Sequence, residues 1–170
     1  MFITVDVEKA FLQGMTHEEI EASTGEVQRR AFFDLPPGSA AVLRQIPGYE
    51  DFDERYECLM SLKHGTGTKG APRAFSLKLA SVTQGPKCRT KSITYDGKLE
   101  LRFDDNALTA IATKPVDDIK IGGVPKIVRG QIIPALKAVF GKLTTHEEEF
   151  TNTGVRHKRP GDGTVEVDQD

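Results

Sequence analysis

Apolar and β-branched positions alternate from the first residues, and Phe2-Ile3-Thr4-Val5-Asp6-Val7 reads as a strand. Glu8 to Gln13 comes next as a turn or helical start ended by Gly14. Thr16-His17-Glu18-Glu19 has the spacing of a capping box and predicts a helix over Glu18 to Arg30, with Gly25 weakening its interior. Pro and Gly crowd Leu35 to Gly48, which argues for loop and turn, and Tyr56 to Leu62 is short and apolar enough for a strand. After the glycine-rich run Gly65 to Gly70, Pro72 opens a helix through Ala74, Phe75, Leu77, Leu79 and Val82 that stops by Gly85-Pro86. Asp96-Gly97, between Ile93–Tyr95 and Lys98–Phe103, predicts a hairpin. Ala107 to Thr113 and Val116 to Ile121 flank Lys114-Pro115 as a second one. A helical period then runs from Pro125 to Phe140 and closes at Gly141, with Pro134 predicting a kink or a break. No internal repeat is visible. The pattern is that of an α+β domain over residues 1–155, with a polar tail, 156–170, expected to fray.

At 170 residues, 38% hydrophobic and 28% charged, the chain can bury a proper core and has no apolar run near the ~20 residues a membrane span needs. No basic region leading into an apolar stretch marks a secretory signal, and two isolated thiols, Cys58 and Cys88, fit a reducing compartment. His17, His64, His146 and His157 show no metal-ligand spacing, which argues against a zinc site. The net charge of −2 hides an uneven distribution. Between Cys58 and Tyr95 there is no carboxylate, while Lys63, Lys69, Arg73, Lys78, Lys87, Arg89 and Lys91 are all basic. Such a stretch is either a phosphate-contacting surface or a solvated face balanced by acids elsewhere in the fold.

Asp6 near the end of the first strand and Asp117-Asp118 in the second hairpin are the candidate chemistry. Two adjacent acids between apolar segments must occupy a turn or bind something, and converging carboxylates are what a two-metal phosphoryl-transfer site requires. An Asp-Asp pair is often only a turn, and Asp104-Asp105, with Asn106 next in the chain, is explained that way.

The company these acids keep is more specific. Asp6-Val7-Glu8-Lys9-Ala10-Phe11-Leu12-Gln13-Gly14 resembles the first polymerase motif of copia-type retrotransposon reverse transcriptases. Glu18-Glu19-Ile20 and Pro36-Pro37-Gly38 resemble the family's stretch downstream of that motif. Leu62-Lys63 through Gly65, Gly67, Lys69 and Ala71-Pro72-Arg73-Ala74-Phe75 resembles the second motif, and Val116-Asp117-Asp118-Ile119 the core of the third. Phe140-Gly141-Lys142-Leu143 and Phe150 to Gly154 resemble later palm elements, so the likeness spans nearly the whole chain in order. It implies a palm-like antiparallel sheet with helices on one face, without fingers or thumb. Asp6, Asp117 and Asp118 would hold two Mg2+ or Mn2+ ions, and Phe11 would screen the sugar 2′ position of the incoming nucleotide. Lys69, Ala71, Pro72 and Arg73 would line the template and nucleotide side. The plain alternatives are a core Phe11 and an exposed Arg73 in a first helical turn.

The implied partners are an RNA or DNA template with primer, deoxynucleoside triphosphates, and the integrase and ribonuclease H segments of a Pol polyprotein. The implied location is intracellular, in a cytoplasmic particle or the nucleus, with no membrane. The chain departs from the pattern at Pro115, where the family has an aromatic, and at Gly70, where Gln is frequent. Since the first strand starts at Met1, the 170-residue chain by itself is expected to be inactive. Two alternatives stand beside this reading: a non-catalytic remnant or nucleic-acid-binding module of the same ancestry, and a dinucleotide-binding domain using Gly65-Gly67-Gly70.

Overall fold

A computed structural model describes every residue except 116–117, 148, 153–154, 160–163 and 170. It is an α+β protein with antiparallel sheets. The strands are β1 (Phe2–Val7), β2 (Phe32–Phe33), β3 (Leu59–Met60), β4 (Lys91–Ser92), β5 (Leu99–Asp104), β6 (Ala107–Thr113), β7 (Asp118–Gly123), β8 (Leu143–Glu147), β9 (Glu149–Asn152), β10 (Val155–Lys158) and β11 (Glu166–Gln169). The helices are α1 (His17–Thr24), α2 (Ala40–Leu43), α3 (Ala71–Thr83), α4 (Pro125–Ile127) and α5 (Ile133–Phe140). The main sheet has six strands in the order β4-β5-β6-β7-β1-β8, so the N-terminal strand is inserted between β7 and β8.

One face of this sheet is dry. Ile3, Val5 and Val7 of β1 share it with Ile119 and Ile121 of β7 and Ala110 and Ala112 of β6. Phe75 and Leu79 of α3 and Ala135, Leu136 and Phe140 of α5 complete the core, with the Phe75 and Phe140 rings 5.6 Å apart. Full burial of Phe75 alone contributes roughly 1.5–3 kcal/mol. Close backbone approach fixes Gly14: a Cβ there would meet Phe75 N at 2.9 Å and Ala74 Cβ at 3.0 Å, where a 3₁₀ turn (Ala10–Gln13) leads onto α3. A second close approach, at Gly123, sets a Cβ 2.5 Å from Thr109 O.

Several local signals operate as read. Thr16 and Glu19 form a complete capping box at α1, and Pro72 stands in the first turn of α3. Asp105 and Asn106 both have positive φ, 50° and 62°, and make the tight turn between β5 and β6. The Asp96-Gly97 hairpin is real but wider, since β4 and β5 pair only at Lys91↔Leu101 and Ser92↔Glu100.

Other expectations are corrected. Helix α1 stops at Thr24, because Gly25 takes the left-handed conformation at φ 72° and its N–H caps Glu21 O. A short helix, α2, lies inside the stretch read as loop. Pro134 does not break its helix: a π-helical turn (Val128–Ile132) widens the backbone just before it, with Ile133 N–H reaching Val128 O. That spacing relieves the clash between the proline ring and the carbonyl one turn earlier. Beyond residue 155, most of β10 and all of β11 join β9 in a three-stranded sheet. Phe150 and His157 of that sheet stack on each other and pack against Phe2 on the outer side of β1.

Candidate functional site

The outer face of the main sheet carries the carboxylates. In β1 the residues between the core positions are Thr4 and Asp6, and in β7 they are Asp118, Lys120 and Gly122. Strand register sets Asp6 directly opposite Asp118, and Thr4 opposite Lys120. On the other side of β1, Thr144 of β8 is opposite Asp6 and His146 is opposite Thr4. Directly opposed residues of an antiparallel pair project to one face with Cβ atoms about 4.5–5.5 Å apart. Asp6 is exposed and Asp118 half-buried, both anchored by the fully buried neighbours Val5 and Ile119. The third predicted acid, Asp117, lies outside the described residues. Among the described residues, no group of three or more His, Cys, Asp and Glu side chains is placed to hold a metal ion.

The remaining predicted residues divide. Phe11 is half-buried in the 3₁₀ turn, with its ring edge-on to Phe75 at 6.4 Å, which gives it a packing role at the start of the core. Ala71 is buried at the first turn of α3, while Lys69, Pro72 and Arg73 are exposed. Arg73 pairs with Glu26 at 2.6 Å. Lys78 pairs with Glu19 at 3.0 Å, and Arg89 with Asp104. Three of the seven cations in the carboxylate-free stretch are thus balanced by acids from elsewhere in the chain. The Gly65–Gly70 run comes after the two-residue β3, whose pairing with β2 is antiparallel, as is every described strand pair of the main sheet. A dinucleotide fingerprint requires a parallel βαβ setting, which this run lacks among the described residues.

Two buried polar clusters were not legible in the sequence. At the C-terminal end of α3, Glu100 is 0% exposed on the inner face of β5. It accepts hydrogen bonds from Thr90 Oγ1 at 2.7 Å and Gln84 Nε2 at 2.9 Å, and forms an ion pair with Lys114. Lys114 is 5% exposed and also reaches Thr83 Oγ1 at 3.2 Å. Burial pushes the Glu100 pKa up, but the hydrogen bonds from Lys114, Thr90 and Gln84 outweigh it and hold the carboxyl below its usual value. Lys114 directly follows β6 and lies four residues before Asp118, so this cluster ties the end of β6 to α3 and β5. Beside it, buried Arg102 donates to Asp104 at 2.7 Å and to Cys88 O at 3.1 Å.

At the N-terminal end of α3 the second cluster is of the opposite kind. His17 is 2% exposed, and neither ring nitrogen has a hydrogen-bond partner among the described residues. Each unmet buried polar group costs on the order of 1–3 kcal/mol. The His64 ring stands 4.7 Å away at 81°. Gly70 admits that ring, since a Cβ at 70 would fall 2.2 Å from His64 Cε1. Glycine at position 70 therefore has a local reason in His64.

Comparison with family models, with curated proteins and with solved structures finds no match for this chain. No helix among the described residues is long and apolar enough to cross a membrane.

Proposed function

We propose that this chain is the palm segment of a copia-type retrotransposon reverse transcriptase, with Asp6, Asp117 and Asp118 as its metal-binding acids. The observation that carries the reading is the β1–β7 register, which opposes Asp6 and Asp118 on the outer face of the sheet. These two are the outer acids of motifs that lie far apart in the chain. Opposed like charges on neighbouring strands repel, and a divalent cation between them converts that cost into shared ligation, so the donor set suits Mg2+ or Mn2+. When bound, two such ions neutralise the charge that develops on the attacking and leaving oxygens in phosphoryl transfer.

The chain's own residues contribute placement. Rigid β1 and β7 hold the carboxylates, and Val5, Ile119 and the core beneath them fix the strands. Lys114, paired with Glu100, fixes the chain just after β6, four residues before Asp118. Lys120, opposite Thr4 in the next row, places a cation on the same face, where phosphate or a primer backbone would lie. Template with primer and deoxynucleoside triphosphates are the partners this reading requires, together with the other segments of a Pol polyprotein.

Mn2+ titration with paramagnetic broadening of backbone amide signals as the readout tests it. Broadening is expected to centre on Asp6 and Asp118 in the native chain and to be lost in Asp6→Asn and in Asp118→Asn. Broadening that is absent, or unchanged in both variants, would remove the reading.

A further inference from the structure

The pairing of His17 with His64 has no part in the carboxylate site, and its features converge on a ligand. His17 is buried with both ring nitrogens unmatched among the described residues, although a neutral imidazole offers one donor and one acceptor. The second ring comes from a segment distant in sequence and is held beside it by backbone contacts. His17 N–H donates to Leu62 O at 3.0 Å, and Thr16 and Lys63 form an isolated β-bridge. Gly70 leaves the volume that the His64 ring fills.

The spacing fits one shared ion. Two imidazoles bound to the same cation at about 2.0–2.1 Å place their ring centres roughly 5 Å apart, against the 4.7 Å found. Burial lowers the pKa of His17, nearby His64 and Arg30 lower it further, and Glu21 opposes them more weakly. Imidazole nitrogen selects zinc, copper or nickel over magnesium, which takes oxygen ligands.

We propose that His17 and His64 form a two-imidazole site for a borderline transition-metal cation of the zinc class. No third His, Cys, Asp or Glu joins them among the described residues, so the site offers the ion two protein ligands. Such an ion would staple the start of α1 to the glycine-rich run that leads into α3, and its ligand chemistry separates it from the oxygen site at Asp6 and Asp118.

The experiment is zinc titration of the full chain, read by histidine-ring NMR and by thermal melting. The His17 and His64 ring signals are expected to shift together with saturable, one-to-one behaviour. The melting temperature should rise by roughly 5–10 °C at hundredfold excess over Kd. His64→Ala, which removes the less buried ring, and His17→Leu should each abolish both responses, while His146→Ala and His157→Ala leave them unchanged. Ring signals of His17 that do not move, or zinc binding that survives both His64→Ala and His17→Leu, would overturn the site. The titration is independent of the palm reading, because Asp6→Asn and Asp118→Asn should not alter it.

Discussion

Helix α3 closes at both ends on buried polar groups, and the two ends solve the same problem differently. At the C-terminal end, Glu100 receives Lys114, Thr90 and Gln84, so its charge is matched by donors on every described side. At the N-terminal end, His17 is just as inaccessible and has none among the described residues. A buried group with all its partners is architecture: it specifies how strands and helix meet. A buried group with none is either a cost without return or a place kept for something else. The contrast assigns the first cluster to joining the end of β6 to α3 and β5, and it is the ground for the proposed binding at the second.

The largest break in this contrast comes from removing one member of the matched pair. Lys114→Met leaves the Glu100 carboxylate buried without its cation, and losing one partner of a buried pair costs about 3–5 kcal/mol. Urea denaturation of the variant should show a loss of that size. Adding Glu100→Leu to Lys114→Met should restore most of it, because the double variant strands no charge. A single-variant loss under about 1 kcal/mol would mean that water reaches the cluster and that it does not fix the end of β6.

Much of the frame was legible because local chemistry decides it. The alternation in β1, the Thr16–Glu19 capping box, Pro72 at the start of α3 and the Asp105-Asn106 turn each depend on neighbours within a few residues. What escaped reading depends on distant partners. Leu99-Glu100-Leu101-Arg102-Phe103 alternates as a half-buried strand should, yet the sense is inverted: Glu100 and Arg102 are buried, and Phe103 is exposed. Apolar-in patterning fails there because Lys114, Thr90, Gln84 and Asp104 make burial of the charges tolerable, and none of them is signalled by the strand itself. The histidines escaped for the same reason. Their separation in the chain resembles no ligand motif, and the Thr16–Lys63 bridge and the His17–Leu62 backbone hydrogen bond bring them together. Of the carboxylates, Asp6 and Asp118 stand opposite one another through strand register, a relation between distant strands that alternation within either one does not reveal.

Acid separates the two ends of α3 further, in two pH windows. The His17 pKa is lowered from its ordinary 6.5, so between its folded value and 6.5 the unfolded chain holds more protons. The stability contributed by neutral His17 is full above 6.5 and falls as pH drops below it. Glu100 is lowered from 4.5, so its contribution is full above 4.5 and is lost as pH falls through its folded value. Denaturation midpoints measured from about pH 7.5 down to about 3 should therefore decline in two stages. His17→Leu should shrink the upper stage and leave the lower one, the remainder of the upper stage coming from His157, whose pKa burial and Lys120 also lower. A native chain with a flat profile from about pH 7 to about 5 would show that His17 finds a proton acceptor when the chain is folded.

The smallest effect is the sharpest test of the contrast. Without metal, His17→Leu replaces a ring that makes no hydrogen bond with an apolar side chain of similar size, so no partner is stranded by the change. The destabilisation usual for altering a buried polar group should then be missing. Stability at about pH 7.5 should rise by about 1–3 kcal/mol, because unmet polar burial is relieved. With zinc present the sign reverses, since the native chain gains the ligand's stabilisation and the variant does not. A metal-free loss above about 2 kcal/mol would show that His17 is held by hydrogen bonds after all. The N-terminal end of α3 would then be built like the C-terminal end, and the case for a ligand there would go with the difference.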